Sequence, residues 1–252
     1  MIKAITFDLW DTVIHDDSDE PKREAQGLAS KRNARRTLVW EALNQHEAID
    51  LQTVARAYDV TEAAFSHVWH EQYITWTVQE RLRVLLKGLH RELPADEFSA
   101  VVRAHEDMEV EVCPDPVDGI CEAVAELASR YPIAVVSDAI VSPGRCLKKI
   151  LERYGIAHHF GGFAFSDEVG FSKPHRNMFG SAAQQLGVEI SSLVHIGDRD
   201  HNDVKGPHAL GMKAVLFTAT RDADKAHTTA DAVCENAADL PAIIDMLAGA
   251  ST

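Results

Sequence analysis

Cysteine is scarce. Four cysteines in 252 residues, Cys113, Cys121, Cys146 and Cys234, show no CxxC spacing and no dense framework, so neither a disulfide scaffold nor a thiolate metal site is expected. Aromatic residues make up only 7%, which excludes a broad stacking platform for single-stranded nucleic acid. Basic residues are outnumbered, 25 Lys and Arg against 39 Asp and Glu, for a net charge of -14. Such a chain repels a polyphosphate backbone, so nucleic acid is not an expected partner. A small anion is still allowed, because local charges in a site outweigh the global sum. No run of about 18 apolar residues occurs, and the start Met1–Phe7 is too short for a secretory leader. The expectation is a soluble, cytoplasmic protein with no membrane contact, acting as a monomer or homodimer. Internal repeats and low-complexity segments are also missing. The length leaves room for one core domain and an inserted one.

Short, continuously apolar runs stand out against this background. They are Ile5–Phe7, Ile133–Val136, Phe163–Phe165, Leu193–Ile196 and Ala214–Phe217. Continuous rather than alternating apolar character suits strands of a parallel sheet covered on both faces. Helical patterns separate them, through Ile120, Val124 and Leu127, through Leu147, Ile150 and Leu151, and through Met178, Phe179 and Ala182. Pro174 is predicted in the first turn of that last helix, and Gly187 is predicted to stop it. Strand and helix alternation of this kind predicts an α/β fold, a doubly wound, mostly parallel, Rossmann-like sheet. Residues 15–113 differ. They hold no convincing strand but several helical stretches, such as Ala34, Leu38 and Leu43 or Leu82, Leu85 and Leu89. We therefore expect a core of residues 1–14 and 114–252 with an all-helical insert, 15–113, after the first strand.

In open α/β sheets ligands bind beyond the carboxyl ends of the strands. Asp8 follows the first strand and Ser137-Asp138 the second. Lys173-Pro174 comes beyond the third, and Gly197-Asp198 through Asp203 follows the fourth. Together they suit phosphoryl transfer. A carboxylate at Asp8 can attack phosphorus, Ser137 can donate to a phosphoryl oxygen, and Lys173 can neutralise charge. Asp8, Asp198 and Asp203 would repel one another unless a hard divalent cation joined them, and oxygen-only ligation favours Mg²⁺.

These four segments resemble, in order, the four motifs of the haloacid dehalogenase (HAD) superfamily. Asp8 and Thr12 are similar to its DxDx[TV] signature, and Asp198 and Asp203 to its GDxxxxD motif. The resemblance implies a HAD-type core with a helical cap, Asp8 as nucleophile, and Ser137 and Lys173 as its catalytic partners. It implies Mg²⁺ held by Asp8, Asp198, Asp203 and the backbone carbonyl of Trp10. The implied substrate is a small phosphate ester, with Trp10, Asp11 and Asp138 facing it.

One position departs from the pattern. The family's phosphatases usually carry a second aspartate two residues after the nucleophile, as general acid. Here that residue is Trp10, and the neighbouring acid is Asp11. Adjacent side chains of a strand point to opposite faces, so Asp11 is not a simple substitute and is expected to cap the following turn with Thr12. Two alternatives follow. One is a 2-haloacid dehalogenase-type hydrolase attacking carbon, whose relatives also lack that aspartate. The other is a weakly active protein that binds phosphometabolites. The retained Asp198 and Asp203 favour metal and phosphorus, because the dehalogenases need no metal.

Elsewhere the plainer readings are expected. Lys22, Arg23, Lys31, Arg32, Arg35 and Arg36 form a basic cluster, read as a solvated helix face. Trp40, Trp69 and Trp76 are assigned to packing within the insert. His67 and His70 are given surface or packing roles, and Asp200 and His201 are placed at the surface.

Overall fold

The computed structural model of the protein describes residues 1–249, so the last three residues of the expected core lie outside the described residues. Its sheet has the order β3-β2-β1-β4-β5-β6, with every neighbouring pair parallel. The strands are β1 (Ala4–Phe7), β2 (Ile133–Ser137), β3 (Gly162–Phe165), β4 (Leu193–Gly197), β5 (Lys213–Phe217) and β6 (Ala232–Cys234). The first five occupy the runs anticipated from apolar character. The sixth was not foreseen, because a three-residue edge strand leaves no apolar run long enough to read.

Side chains alternate across this sheet. Ile5 and Phe7 face a core shared with α6 (Ile120–Ala128), α7 (Gly144–Arg153) and α11 (Leu240–Gly249). Ala4, Ala134 and Val136 face Met178, Phe179 and Ala182 of α9 (Arg176–Leu186). Small alanines on that side let the helix sit close to the strands. Gly187 ends α9 in the left-handed conformation, as expected of a C-terminal glycine. Pro174, however, lies outside the helix. His175 is the N-cap, its ring nitrogen accepting from the Asn177 N–H. Pro174 instead packs on Gly206, where an added Cβ would come within 2.4 Å of the proline Cβ. A side chain there would separate the Lys173 loop from the segment after β4.

Between β1 and α6 the chain forms only helices among the described elements. These are α1 (Glu20–Ala25), α2 (Lys31–Asn44), α3 (Leu51–Gln72), α4 (Val78–Gly88) and α5 (Ala95–Glu111). Val39, Leu43, Val54, Leu82 and Leu85 give them their own apolar centre. Thr77 and Glu80 close a capping box at the start of α4. The α3–α4 connection reaches the core. Ile74 bridges Phe171, the Ser172 N–H donates to the Tyr73 carbonyl at 2.8 Å, and the Thr75 and Ser172 hydroxyls share a hydrogen bond at 2.5 Å.

The strand order places the crevice. The chain moves outward from β1 through β2 to β3, then returns to β4 on the other side of β1. Ligands bind at such a reversal in open α/β sheets. Phe7 is in register with Val135 on one side and Ile196 on the other, so the residues just after these strands share one edge.

Candidate active site

Asp8 continues β1, its N–H donating to the Ile196 carbonyl at 2.8 Å. Its Oδ1 accepts from the Leu9 N–H at 2.7 Å. Lys173, buried in the loop before α9, places Nζ 2.7 Å from both Asp8 Oδ1 and Asp203 Oδ1. Asp203 returns to this point because Asp200–Lys205 forms a wide π-type turn, a form frequent at functional sites. Gly197 makes room for it, since a Cβ there would lie 2.4 Å from Asp203 Cγ. Asp8, Asp198 and Asp203 each offer a carboxylate oxygen, and these oxygens lie within 4.8 Å of one another.

Three buried carboxylates against one lysine leave excess negative charge, and the protonation pattern reflects it. Burial, together with Asp8 and Asp203, pushes Asp198 up to about 8. Burial also raises Asp8, opposed by Lys173. At Asp203 burial acts in the same sense but loses to the Lys173 ammonium and His195, which hold it below the usual carboxylate range. Burial would lower Lys173, yet Asp203, Asp8 and Asp138 hold it above the usual lysine range. Both carboxylate oxygens of Asp198 are buried without a hydrogen-bond partner among the described residues. Its nearest cation is Arg199 Nε, 3.7 Å from Oδ2. Ionising a buried carboxyl group so weakly partnered is costly, and a cation with several open positions removes that cost. The donor set is oxygen only, so the residues fit a hard divalent metal.

His195 supports this cluster and was not singled out from sequence. Its Nε2 lies 3.1 Å from Asp203 Oδ1 and its Nδ1 2.8 Å from Thr6 Oγ1. Burial lowers the basicity of the ring, so it stays neutral. A carboxylate only accepts, so Nε2 carries the proton and Nδ1 accepts from Thr6. The clue was one polar side chain inside the apolar run Leu193–Ile196.

A cavity of about 210 Å³ opens at Asp8. Trp10, Asp138, Lys173 and Arg199 line it from the core, and Lys31, Arg35 and Trp69 from the helices of the insert. Ser137 is fully buried at the end of β2, with its hydroxyl unpartnered among the described residues. Asp11 is not in the cavity wall. It adopts a left-handed conformation, and its Oδ1 caps the turn by accepting from the Asp16 N–H at 3.2 Å, whereas the Thr12 hydroxyl, expected to share that role, has no hydrogen-bond partner among the described residues.

Several expectations about the surface change. Arg23 and Lys31 are buried and Arg35 is only 11% exposed, so these three leave the solvated face expected of the basic cluster, while Arg32 stays exposed. Lys31 is drawn in by Asp19 at 2.7 Å and Glu109 at 3.0 Å. Trp69 belongs to the cavity wall, whereas Trp40 packs inside the insert and donates to the Ile49 carbonyl. Asp200 is buried too, because Thr228 and Lys205 bind its carboxylate. His67, His70 and His201 are exposed, as expected.

The fold and the site define an α/β enzyme whose centre is a set of carboxylates around one buried lysine. A family model described as a haloacid dehalogenase-like hydrolase matches residues 2–211. The chain belongs to that family. It is 27% identical to the glyceraldehyde 3-phosphate phosphatase of Methanothermobacter thermautotrophicus, over 98% of this chain and 97% of the relative. It is 26% identical to the 5-amino-6-(5-phospho-D-ribitylamino)uracil phosphatase YigB of Escherichia coli, over 84% and 82%. Among solved structures, a 2-haloacid dehalogenase from Pseudomonas syringae shares the fold with a TM-score of 0.68 at 20% identity, covering 98% of this chain and all of that one. A HAD phosphatase from Thermococcus onnurineus does so with a TM-score of 0.61 at 19% identity, over 96% and 98%.

Close packing around Gly197 gives a direct test of the cluster. Gly197→Ala is expected to displace Asp203 and weaken divalent-cation binding by roughly 10- to 100-fold while the fold survives. Melting temperature measured against Mg²⁺ concentration checks this, and an unchanged binding curve would remove Asp203 from the cation site.

Proposed function

We propose that this protein is a Mg²⁺-dependent phosphatase of small phosphate esters, with Asp8 as covalent nucleophile. The carrying observation is the buried Asp198 carboxyl group beside Asp8 and Asp203, with neither oxygen hydrogen-bonded among the described residues. Hydrolysis at carbon needs no such charge trap, whereas a phosphate dianion approaching a carboxylate does. The phosphatase names of the two sequence relatives point the same way. A cavity of about 210 Å³ suits a small ester rather than a polymer.

In this reading Asp8, Asp198, Asp203 and the Trp10 carbonyl would hold Mg²⁺, whose charge would screen the phosphate from the attacking carboxylate. An Asp8 oxygen attacks phosphorus, the ester bond breaks, and an aspartyl phosphate forms. Lys173 neutralises charge on Asp8 and on the transferred group, and the Ser137 hydroxyl donates to a phosphoryl oxygen. Water then attacks phosphorus and frees Asp8. Residues 15–113 act as a cap, with Lys31, Arg35 and Trp69 facing the substrate. The Tyr73–Thr75 segment holds the cap to the loop that carries Lys173. Closure excludes bulk water during the first step.

The test is hydrolysis of p-nitrophenyl phosphate with Mg²⁺ and with a chelator. Turnover is expected to fall at least about 100-fold in chelator and to return with Mg²⁺. Activity indifferent to metal, or halide release from 2-haloacids, would overturn the reading in favour of attack at carbon.

A further inference from the structure

Trp10 occupies the position from which a general acid would serve the leaving group, so the proton must come from another side chain. Besides Asp8, the cavity wall carries Asp16, Asp17, Glu109 and Asp138, and Asp11 adjoins Trp10 in the chain; Asp17 and Glu109 are held by Lys31 at 3.1 Å and 3.0 Å. Asp11 is committed to the turn and stands outside the cavity wall. Asp16 does line the cavity, but the charges acting most strongly on it are Asp17, Asp11, Lys31 and Glu109, not Asp8. Asp138 lines the same wall as Asp8, and the charges it feels most are Lys173, Asp8 and Asp203.

Its geometry is that of an oriented acid. Asp138 Oδ1 accepts from the Lys173 backbone N–H at 2.8 Å, which fixes the plane of the carboxyl group. The other oxygen has no hydrogen-bond partner among the described residues, and it is not fully buried. One oxygen is held and the other is free, on a residue that lines the cavity.

We propose that Asp138 is the acid and base of this site, protonating the leaving oxygen and then deprotonating the attacking water. The proposal rests on the phosphatase reading and deepens it. As Asp8 bonds to phosphorus, the ester P–O bond breaks and its electron pair goes to the leaving oxygen. That oxygen takes the proton of the Asp138 carboxyl group, and the alcohol departs. In the second step the Asp138 carboxylate accepts a proton from water as the water oxygen bonds to phosphorus. The Asp8–phosphorus bond breaks with its electrons returning to Asp8, and phosphate leaves. Ester and water give alcohol and phosphate, with Asp138 again protonated.

The surroundings are consistent with a proton held near neutrality. Burial raises the Asp138 carboxyl group to about 7, with Asp8 and Asp203 adding to the rise and Lys173 opposing it. Lys31, Arg35 and Glu109 face it across the cavity from the insert. A group poised near the working pH is the most effective acid and base.

Asp138→Asn keeps an acceptor for the Lys173 N–H and removes the proton. The experiment compares kcat/KM for p-nitrophenyl phosphate and glycerol 3-phosphate in the parent, in Asp138→Asn and in Asp16→Asn. A nitrophenolate leaves without protonation and an alkoxide does not. The ratio of aryl to alkyl kcat/KM is therefore expected to rise by about 10²–10⁴ in Asp138→Asn. p-Nitrophenol should also appear as a burst near one per protein, because the second step lacks its base. Equal losses on both esters, an unchanged ratio, or the same rise in Asp16→Asn instead would overturn the assignment. A parent protein that hydrolyses neither ester would overturn the phosphatase reading beneath it, a result distinct from the other three.

Discussion

Asp8→Asn is expected to abolish turnover, by roughly 10⁴-fold or more, without unfolding the protein. The amide matches the carboxylate in shape and can still accept from the Leu9 N–H, but it is no nucleophile at phosphorus. Lys173 retains Asp203 at 2.7 Å, so the cluster keeps a counter-charge. The metal-free variant should even gain stability at neutral pH. Burial raises the Asp8 carboxyl group, so the folded state binds that proton more tightly than the unfolded chain does. Stability then falls as pH rises from the ordinary carboxylate range through the raised value, and asparagine removes that loss. Acid quenching during turnover of ³²P-labelled ester should trap label on the parent and none on the variant. Label retained by Asp8→Asn would place the nucleophile elsewhere.

Lys173→Met is expected to cost about 3–5 kcal/mol of stability in the metal-free protein, besides most of the activity. Methionine fills similar space but leaves Asp8 and Asp203 buried without their shared cation. The Asp138 contact survives, because it uses the Lys173 backbone N–H. Urea denaturation with and without Mg²⁺ separates the contributions. The deficit should shrink with Mg²⁺, and also as the pH falls and Asp8 takes up a proton. A variant as stable as the parent without metal would show that Lys173 does not neutralise the cluster.

The α/β core was legible because its strands are buried on both faces and therefore continuously apolar. Asp8, Ser137, Asp138, Lys173, Asp198 and Asp203 were legible as polar residues directly after those strands or in a connecting loop. The structure brings them to one sheet edge, as the strand order requires. What stayed hidden depends on how the insert sits over the core. Lys31 and Arg35 read as surface because charged helix positions usually are. Their burial follows from Glu109, 78 residues away from Lys31, which no local pattern reveals. Trp69 was hidden for the same reason. His195 was visible as a polar interruption of a strand, but its purpose required Asp203 to fold back over Gly197.

The position of β1 at the reversal also orders the assembly of the chain in time. The contact between Thr6 and His195 joins residues 189 apart, and β1 pairs with β4 across a similar gap. During synthesis β1 can be covered by β2 once residue 137 has emerged, but its other edge waits for residues 193–197. Until then a central strand behaves as an exposed edge, with unpaired backbone groups that invite association with other chains. Asp8 is among the first residues made, whereas Asp198 and Asp203 follow only after β4. No shorter chain brings Asp8, Asp198 and Asp203 together, so the acidic cluster forms only when the sheet closes around β1.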